Sequence, residues 1–323
     1  MDNVNISWRR MVTRFTGRLL LVVLGMALVL GLVLTACAPD QPAPTDQPAP
    51  AGNAFVDDLG RMVTIEETPR RIVSLSPANT EILFALGLGE KVVGVTNFCD
   101  YPAEAMDNES VGDFYPPDIE KIVALDPDLI VATDIHRHDV IPALEDKGFT
   151  VFGLAPQTLQ EILECFHKLG EITGEEEAAL QLVKEMERKI EEVQEKAAAI
   201  EDTPRVLYVT WHDPLWTVGR NTWIDDLITI AGGVNIFSAY FESGAMVEVE
   251  WAIFLNPEVI IAGSWSYDWA NDATELEGTD ARLNGHVYPS DDNLVERSSP
   301  RLVEALAWFA HFIHPEVFEE PAG

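Results

Sequence analysis

The sequence predicts an α/β protein of two similar lobes joined by one long helix. Three observations carry that prediction. One passage is used twice: residues 118–132 read DIEKIVALDPDLIVA and residues 248–262 read EVEWAIFLNPEVIIA. Each copy has an acidic start, an amphipathic stretch, a Pro that stops it and an apolar run, which together make a short helix, a break and a buried strand. Short apolar runs alternate with helical patterns along both halves, the rhythm of a parallel sheet with helices on its faces. Between the halves, apolar residues recur at Ala179, Leu182, Met186, Ile190, Val193, Ala197 and Ile200. Those steps of three and four make one amphipathic helix about 40 Å long. A single stiff connection predicts modest lobe closure.

In chain order, residues 57–65 read as a small hairpin turning near Gly60. Residues 71–75 are a buried strand, and Asn79-Thr80 starts a helix with Glu81 near its positive end. That helix ends around Gly87 and Gly89. Residues 92–95 are the next strand, followed by the first repeat copy, a helix over 140–148 and a strand over 150–153. The second half runs likewise: a strand over 205–209, a helix starting at Asn221-Thr222 and ending at Gly232-Gly233, the second copy, and a strand over 286–288. A closing helix spans 300–312, with Leu302, Ala305, Leu306 and Phe309 on one face. The expected boundaries are 1–36 for a leader, 37–53 for a tether, 54–173 for the first lobe, 174–201 for the connecting helix and 202–323 for the second lobe.

The leader carries Arg9, Arg10, Arg14 and Arg18 before an apolar run from Leu19 to Leu34. Leu34-Thr35-Ala36-Cys37 then fits a lipoprotein signal whose Cys37 is lipidated and becomes the new N-terminus. The run is shorter than the roughly 20 residues a spanning helix needs. Residues 38–53 contain DQPAP twice and read as an extended tether reaching on the order of 50 Å. The expected location is extracytoplasmic, with the membrane touched through the lipid anchor only. The formal net charge is −33, and removing the four Arg and one Asp of residues 1–36 moves it to −36. Such a balance excludes nucleic acid as a partner and disfavours strongly anionic ligands without a local basic pocket. Cys99 and Cys165 leave two readings open, a disulfide or two free thiols.

Ligands of parallel α/β lobes sit outside the carboxyl ends of the strands. The loops there, with the segment 112–117, carry Phe98, Tyr101, Phe114, Tyr115, Trp211, Trp216, Trp265, Tyr267 and Trp269. Four of the eight Trp fall in two of these loops. A wall of rings in loops fits a flat, largely uncharged ligand. His136 and His138 are weak candidates for touching a metal centre, and a solvated polar loop is the competing reading. The acidic stretch 268–280 lacks EF-hand spacing. No Gly-x-Ser-x-Gly elbow, His-Glu-x-x-His or phosphate loop occurs, so the expectation is a protein without catalytic residues or cofactor.

Ser76-Pro77-Ala78-Asn79-Thr80-Glu81, Asp100-Tyr101-Pro102, the run from Ile122 to Ala132 and Glu296-Arg297-Ser298-Ser299-Pro300-Arg301 resemble the substrate-binding proteins of vitamin B12, siderophore and haem ABC importers. The likeness covers roughly residues 55–315 and is strongest to the vitamin B12-binding branch. It implies two Rossmann-like lobes with parallel-type sheets joined by a single long helix, the class III substrate-binding fold. It implies a corrinoid or another metal chelate as ligand, and a permease dimer with ATPase subunits as partner. Ser76, Asn79, Phe98, Tyr101, Phe114, Tyr115, Trp211, Trp216, Trp265 and Arg297 are the ligand-binding candidates. Phe98, Phe114 and Trp216 match corrin-contacting positions, although the B12-binding branch often has Tyr and Trp where Phe98 and Phe114 stand. Glu120 and Glu250, equivalent positions of the two repeat copies, match the residues that dock into Arg-rich permease pockets; the competing reading is that each complements its helix dipole. Haem binders of the family generally have a Tyr directly after the Val-Gly that precedes the first repeated helix, where this chain has Asp113. Siderophore binders line the cleft with Arg, for which only Arg137, Arg220 and Arg297 are available.

Overall fold

The structure is a computed structural model and describes residues 53–321. The expected leader, the lipidated Cys37 and the tether up to residue 52 lie outside the described residues. The chain opens with the foreseen hairpin, β1 (Ala54–Val56) paired antiparallel with β2 (Met62–Thr64). Gly60 makes its turn at φ 77°, a left-handed conformation that glycine adopts freely.

The first half then lays down β3 (Ile72–Ser74), α1 (Pro77–Ala85), β4 (Val92–Val95), β5 (Glu109–Ser110), α2 (Ile119–Ala124), β6 (Leu129–Thr133), α3 (Val140–Glu145) and β7 (Val151–Leu154). Its five strands pair in the order β5-β4-β3-β6-β7, all parallel. Helices α4 (Leu159–Thr173) and α5 (Glu176–Ala197) follow. The second half builds β8 (Arg205–Val209), β9 (Trp211–His212), β10 (Leu215–Thr217), α6 (Trp223–Ile230), β11 (Val234–Asn235), β12 (Ala245–Val247), α7 (Val249–Leu255), β13 (Val259–Gly263), α8 (Tyr267–Asp272), α9 (Asp280–Asn284), β14 (Val287–Ser290), α10 (Asp292–Val295) and α11 (Leu302–Ile313). Its parallel sheet runs β11-β8-β13-β14. Each sheet reverses its winding beside its first strand, between β3 and β6 and between β8 and β13. A doubly wound sheet opens a crevice at that point, outside the carboxyl ends of the strands.

Alternation along the strands sends side chains to two different interiors. Val73, Ile130 and Ala132 enter a cluster on one face of the first sheet, and Leu207, Val209 and Ile260 enter one on the second. The opposite faces share a single core. Ile72, Leu129, Val131 and Phe152 from the first sheet and Val206, Tyr208, Val259 and Ile261 from the second belong to one apolar cluster. Helices α4, α5, α6 and α11 fill it, through Phe166, Met186, Ile228 and Phe309 among others. The two halves are thus welded through a helical layer.

The foreseen single connecting helix is α5, and two other expectations need correction. α5 spans 22 residues, about 33 Å, and packs on α4, which the sequence reading did not resolve as an element. Gly174, at φ 77°, ends α4 and turns the chain into α5. The helix expected from Asn79 starts at Pro77, because Ser76 is the N-cap and accepts the Asn79 amide at 3.2 Å while Pro occupies a first-turn position whose N–H has no helical partner. The repeated Pro is also not the sole stop. Asp126 and Asn256, the residues before Pro127 and Pro257, take left-handed φ of 46° and 48°, which short polar side chains tolerate.

Candidate functional site

The carboxyl ends of the second sheet carry a small antiparallel sheet in the order β12-β10-β9. Its register sets Trp216 opposite Trp211 on one side and opposite Met246 on the other. Cross-strand partners share a face, so two indoles and a thioether form one row, exposed at 43%, 43% and 59%. Leu215 and Val247 point the other way and are buried. The row is held from behind: Trp211 Nε1 donates to the Asp213 carbonyl at 2.8 Å, and Thr217 Oγ1 donates to the Tyr208 carbonyl at 2.7 Å. The His212 ring lies 5.0 Å from Trp211, tilted by 30°, and stacks on Trp269 at 5.7 Å. Gly219 permits the tight return of this loop, since a Cβ there would collide with the Phe241 carbonyl. Beside the row a cavity of about 500 Å³ is lined by Trp211, Trp216, Val218, Trp223, Ile224 and Glu296, with threonines and Gly244. Glu296 is exposed as a whole residue, but partial desolvation of its carboxyl against this wall, reinforced by nearby Asp292, pushes its pKa up to about 7.

The first half presents its own rings. Phe98, Tyr101 and Tyr115 are about half exposed. His136, fully buried, is the strut behind Phe114 and Tyr115. Its Nδ1 accepts the Thr133 amide at 3.1 Å, and its Nε2 donates to the Phe114 carbonyl at 2.8 Å. Both ring nitrogens are committed and desolvation lowers the pKa, so a neutral ring pins the loop, which corrects its reading as a metal ligand. The Phe114 ring meets it edge-on at 5.4 Å. Tyr115 Oη donates to Asp139 at 2.5 Å. His138 is exposed nearby.

A charged clasp joins the two sets of loops. Glu81 on α1 is buried at 1% side-chain exposure. Arg301 grips it with two bonds, Nε to Oε2 at 2.9 Å and Nη2 to Oε1 at 2.6 Å. Arg297 Nη1 donates to Glu81 at 3.0 Å and to Asp100 at 2.6 Å. The Arg297 guanidinium holds Asp100 below its usual carboxylate range. Arg301 also lies 4.0 Å over the Tyr101 ring, a cation–π contact. The loops after β3, β4 and β14 therefore meet, while the cavity beside the tryptophan row is lined by residues of the second half.

Two sheets wound in the order of doubly wound folds, a helical bridge and a ring-lined cleft between carboxyl-end loops describe a two-lobed binding protein. Residues 72–293 match the family described as periplasmic binding protein. The chain belongs to that family. Members of this periplasmic binding protein family carry ligands for transport and are not enzymes, and this chain is a substrate-binding protein of the group serving vitamin B12, siderophore and haem ABC importers. An uncharacterized ABC transporter substrate-binding lipoprotein of Bacillus subtilis is 35% identical over 82% of this chain and 87% of its own length. The vitamin B12-binding protein of Vibrio campbellii is 30% identical over 73% of this chain and 86% of its own. Among solved structures, a periplasmic haem-binding protein of Pseudomonas aeruginosa superposes with a TM-score of 0.70 at 25% identity, over 79% of this chain and 95% of the other.

Within this periplasmic binding protein the repeat proves deeper than its letters. Asp128 accepts the Arg70 and Arg71 amides, and Glu258, its counterpart, accepts the Arg205 amide. Arg71 in turn bonds the Leu125 and Asp126 carbonyls, as Arg205 bonds that of Asn256. This shared brace sets α2 and α7 alike on their sheets. Glu120 and Glu250 occupy the second residue of those helices, both exposed, and neither forms an ion pair among the described residues.

Not every candidate reaches the cleft. Ser76 and Asn79, expected to touch ligand, are buried; Ser76 caps α1, and Asn79 Nδ2 donates to the Ala132 carbonyl at 3.2 Å. Trp265 is open to solvent at 78%. Cys99 and Cys165 are free and buried: Cys99 accepts from Thr80, and Cys165 donates to Asp58. The reading missed Met246, whose place depends on a non-local strand pairing, and Trp223, which directly follows the helix start foreseen at Asn221-Thr222.

Proposed function

We propose that this protein captures a corrinoid, a cobalamin-like ligand, between the Trp211–Trp216–Met246 row and the rings of Phe98, Tyr101, Phe114 and Tyr115. It then hands the ligand to the permease dimer through Glu120 and Glu250. In this reading lipidated Cys37 and the tether hold the module outside the cytoplasmic membrane, with lobes over 54–173 and 202–323 and the link over 174–201. The observation that carries the reading is the apolar row. A corrin is broad and largely apolar across its faces, and an aromatic–thioether platform buries such a face while a few polar atoms fix its orientation. The relative that shares 30% of its residues is a vitamin B12-binding protein, which supports the same ligand class. Two exposed carboxylates on matching helix starts suit a partner that offers two basic pockets.

A thermal-shift series with cyanocobalamin, haemin and a ferric siderophore tests the choice. The expected result is a rise in melting temperature that grows with cyanocobalamin concentration and exceeds that with the other two. A larger shift with haemin or with the siderophore would assign the cleft to that ligand instead.

A further inference from the structure

The cleft loops carry four arginines, and each is already answered. Arg137 pairs with Asp134 at 2.8 Å and Arg220 pairs with Glu242. Arg297 and Arg301 are held by Glu81 and Asp100. The last group matters most, because its side chains are only 13% and 14% exposed and Arg301 lies over the Tyr101 ring of the opposite loop. Two positive charges in such a site would attract any carboxylate-bearing chelate. Two carboxylates from the first half cancel them before a ligand arrives.

We propose that Glu81 and Asp100 are specificity determinants: by occupying Arg297 and Arg301 they make the aromatic cleft discriminate against anionic metal chelates in favour of uncharged ones. Glu81 is the fixed part, since it is fully buried and bonds both arginines. Asp100 is the adjustable part. It lies between Phe98 and Tyr101 in the chain, its side chain is 54% exposed, and it covers the Nη1 edge of Arg297 that an incoming carboxylate would use. Removing its charge frees one guanidinium edge inside the cleft without dismantling the buried Glu81–Arg301 pair. This inference rests on the cleft being the ligand site, and not on the ligand being a corrinoid.

The test compares the mature chain with its Asp100→Asn variant, using haemin, which bears two propionates, and cyanocobalamin, which is uncharged overall. The readout is the ratio of the two affinities. Asp100→Asn is expected to shift that ratio toward haemin by about tenfold at low salt, the scale of one released charge pair. The shift should shrink at high ionic strength. Glu195→Gln, on the exposed face of α5, changes the net charge equally far from the cleft and should leave the ratio where it was. An unchanged ratio in Asp100→Asn, or an equal shift in Glu195→Gln, overturns the proposal. Failure of the corrinoid reading shows separately, as an absence of cyanocobalamin binding to the unmodified chain; the inference is then read from haemin alone, whose affinity Asp100→Asn must still raise and Glu195→Gln must not, or the proposal is overturned.

Discussion

Glu296 and Glu81 show how two carboxyl groups on facing loops are put to opposite uses. Glu81 is buried and bonded by two arginines. Removing one side of such a buried pair leaves the other uncompensated, so Glu81→Ala should cost about 3–5 kcal/mol of unfolding free energy, measurable by denaturant titration. Glu296 faces an apolar wall and a like charge, and its pKa rises from 4.5 to about 7. The folded protein therefore holds that proton more tightly than the unfolded chain does. The associated stability is complete below pH 4.5 and is lost as pH rises through 7. Glu296→Gln should flatten that slope and stabilise the protein by about 1 kcal/mol at pH 8, a figure reduced because the residue is partly solvated, with little effect at pH 4; thermal melts at the two pH values check it. Residue placements were legible where chemistry is local: Trp211 and Trp216, read as loop tryptophans without a packing duty, are paired and exposed. They were illegible where partners are remote, since Glu81 and Arg301 stand 220 positions apart. Ser76 was misjudged because a Ser before Pro at a helix start is a cap first, and the loop position suggested a ligand instead.

At the scale of elements, the repeat was readable as helix, break and strand, and both copies fold so. What the letters hid is that the break is made by a left-handed Asp126 or Asn256 and braced by Arg71 or Arg205 from the neighbouring strand. The α4–α5 pair was half read: α5 was foreseen from its periodicity, while α4 was passed over although Thr158 and Glu161 form a capping box at its start. Their contact turns on one small residue. A Cβ at Gly170 would come within 2.6 Å of the Ala179 Cβ and 3.1 Å of the Glu175 carbonyl oxygen. Gly170→Val should therefore force the helices apart and destabilise the fold by about 2–3 kcal/mol, seen as a lower denaturation midpoint. Helices α2 and α7 each present an exposed glutamate in the first turn. Replacing Glu120 and Glu250 together with Ala should abolish ligand uptake in a reconstituted importer while leaving ligand affinity within about twofold, the contrast expected if they dock rather than bind ligand. Equal uptake by the double variant would return both residues to the lesser role of complementing a helix dipole.

For the whole molecule, two doubly wound sheets were predictable from alternation, yet their union was not. One apolar core runs from the first sheet through α4, α5 and α11 into the second, and the clasp ties the loops on the cleft side. A core and a clasp restrain the lobes together, which suits a cleft that is formed before its ligand arrives and closes little on it. Preorganisation of this kind lowers the cost of binding a rigid, flat ligand. The acidic surface supplies no attraction for anions, and on the proposal above selectivity falls to the rings and to the cancelled arginines. The central claim is that the Trp211–Trp216–Met246 row receives a corrinoid. Titration of the mature protein with cyanocobalamin, followed by tryptophan fluorescence, tests it most directly. The account predicts saturable quenching below micromolar ligand, weakened about 30-fold by Trp216→Ala; no quenching at micromolar cyanocobalamin, or undiminished affinity in Trp216→Ala, would contradict it.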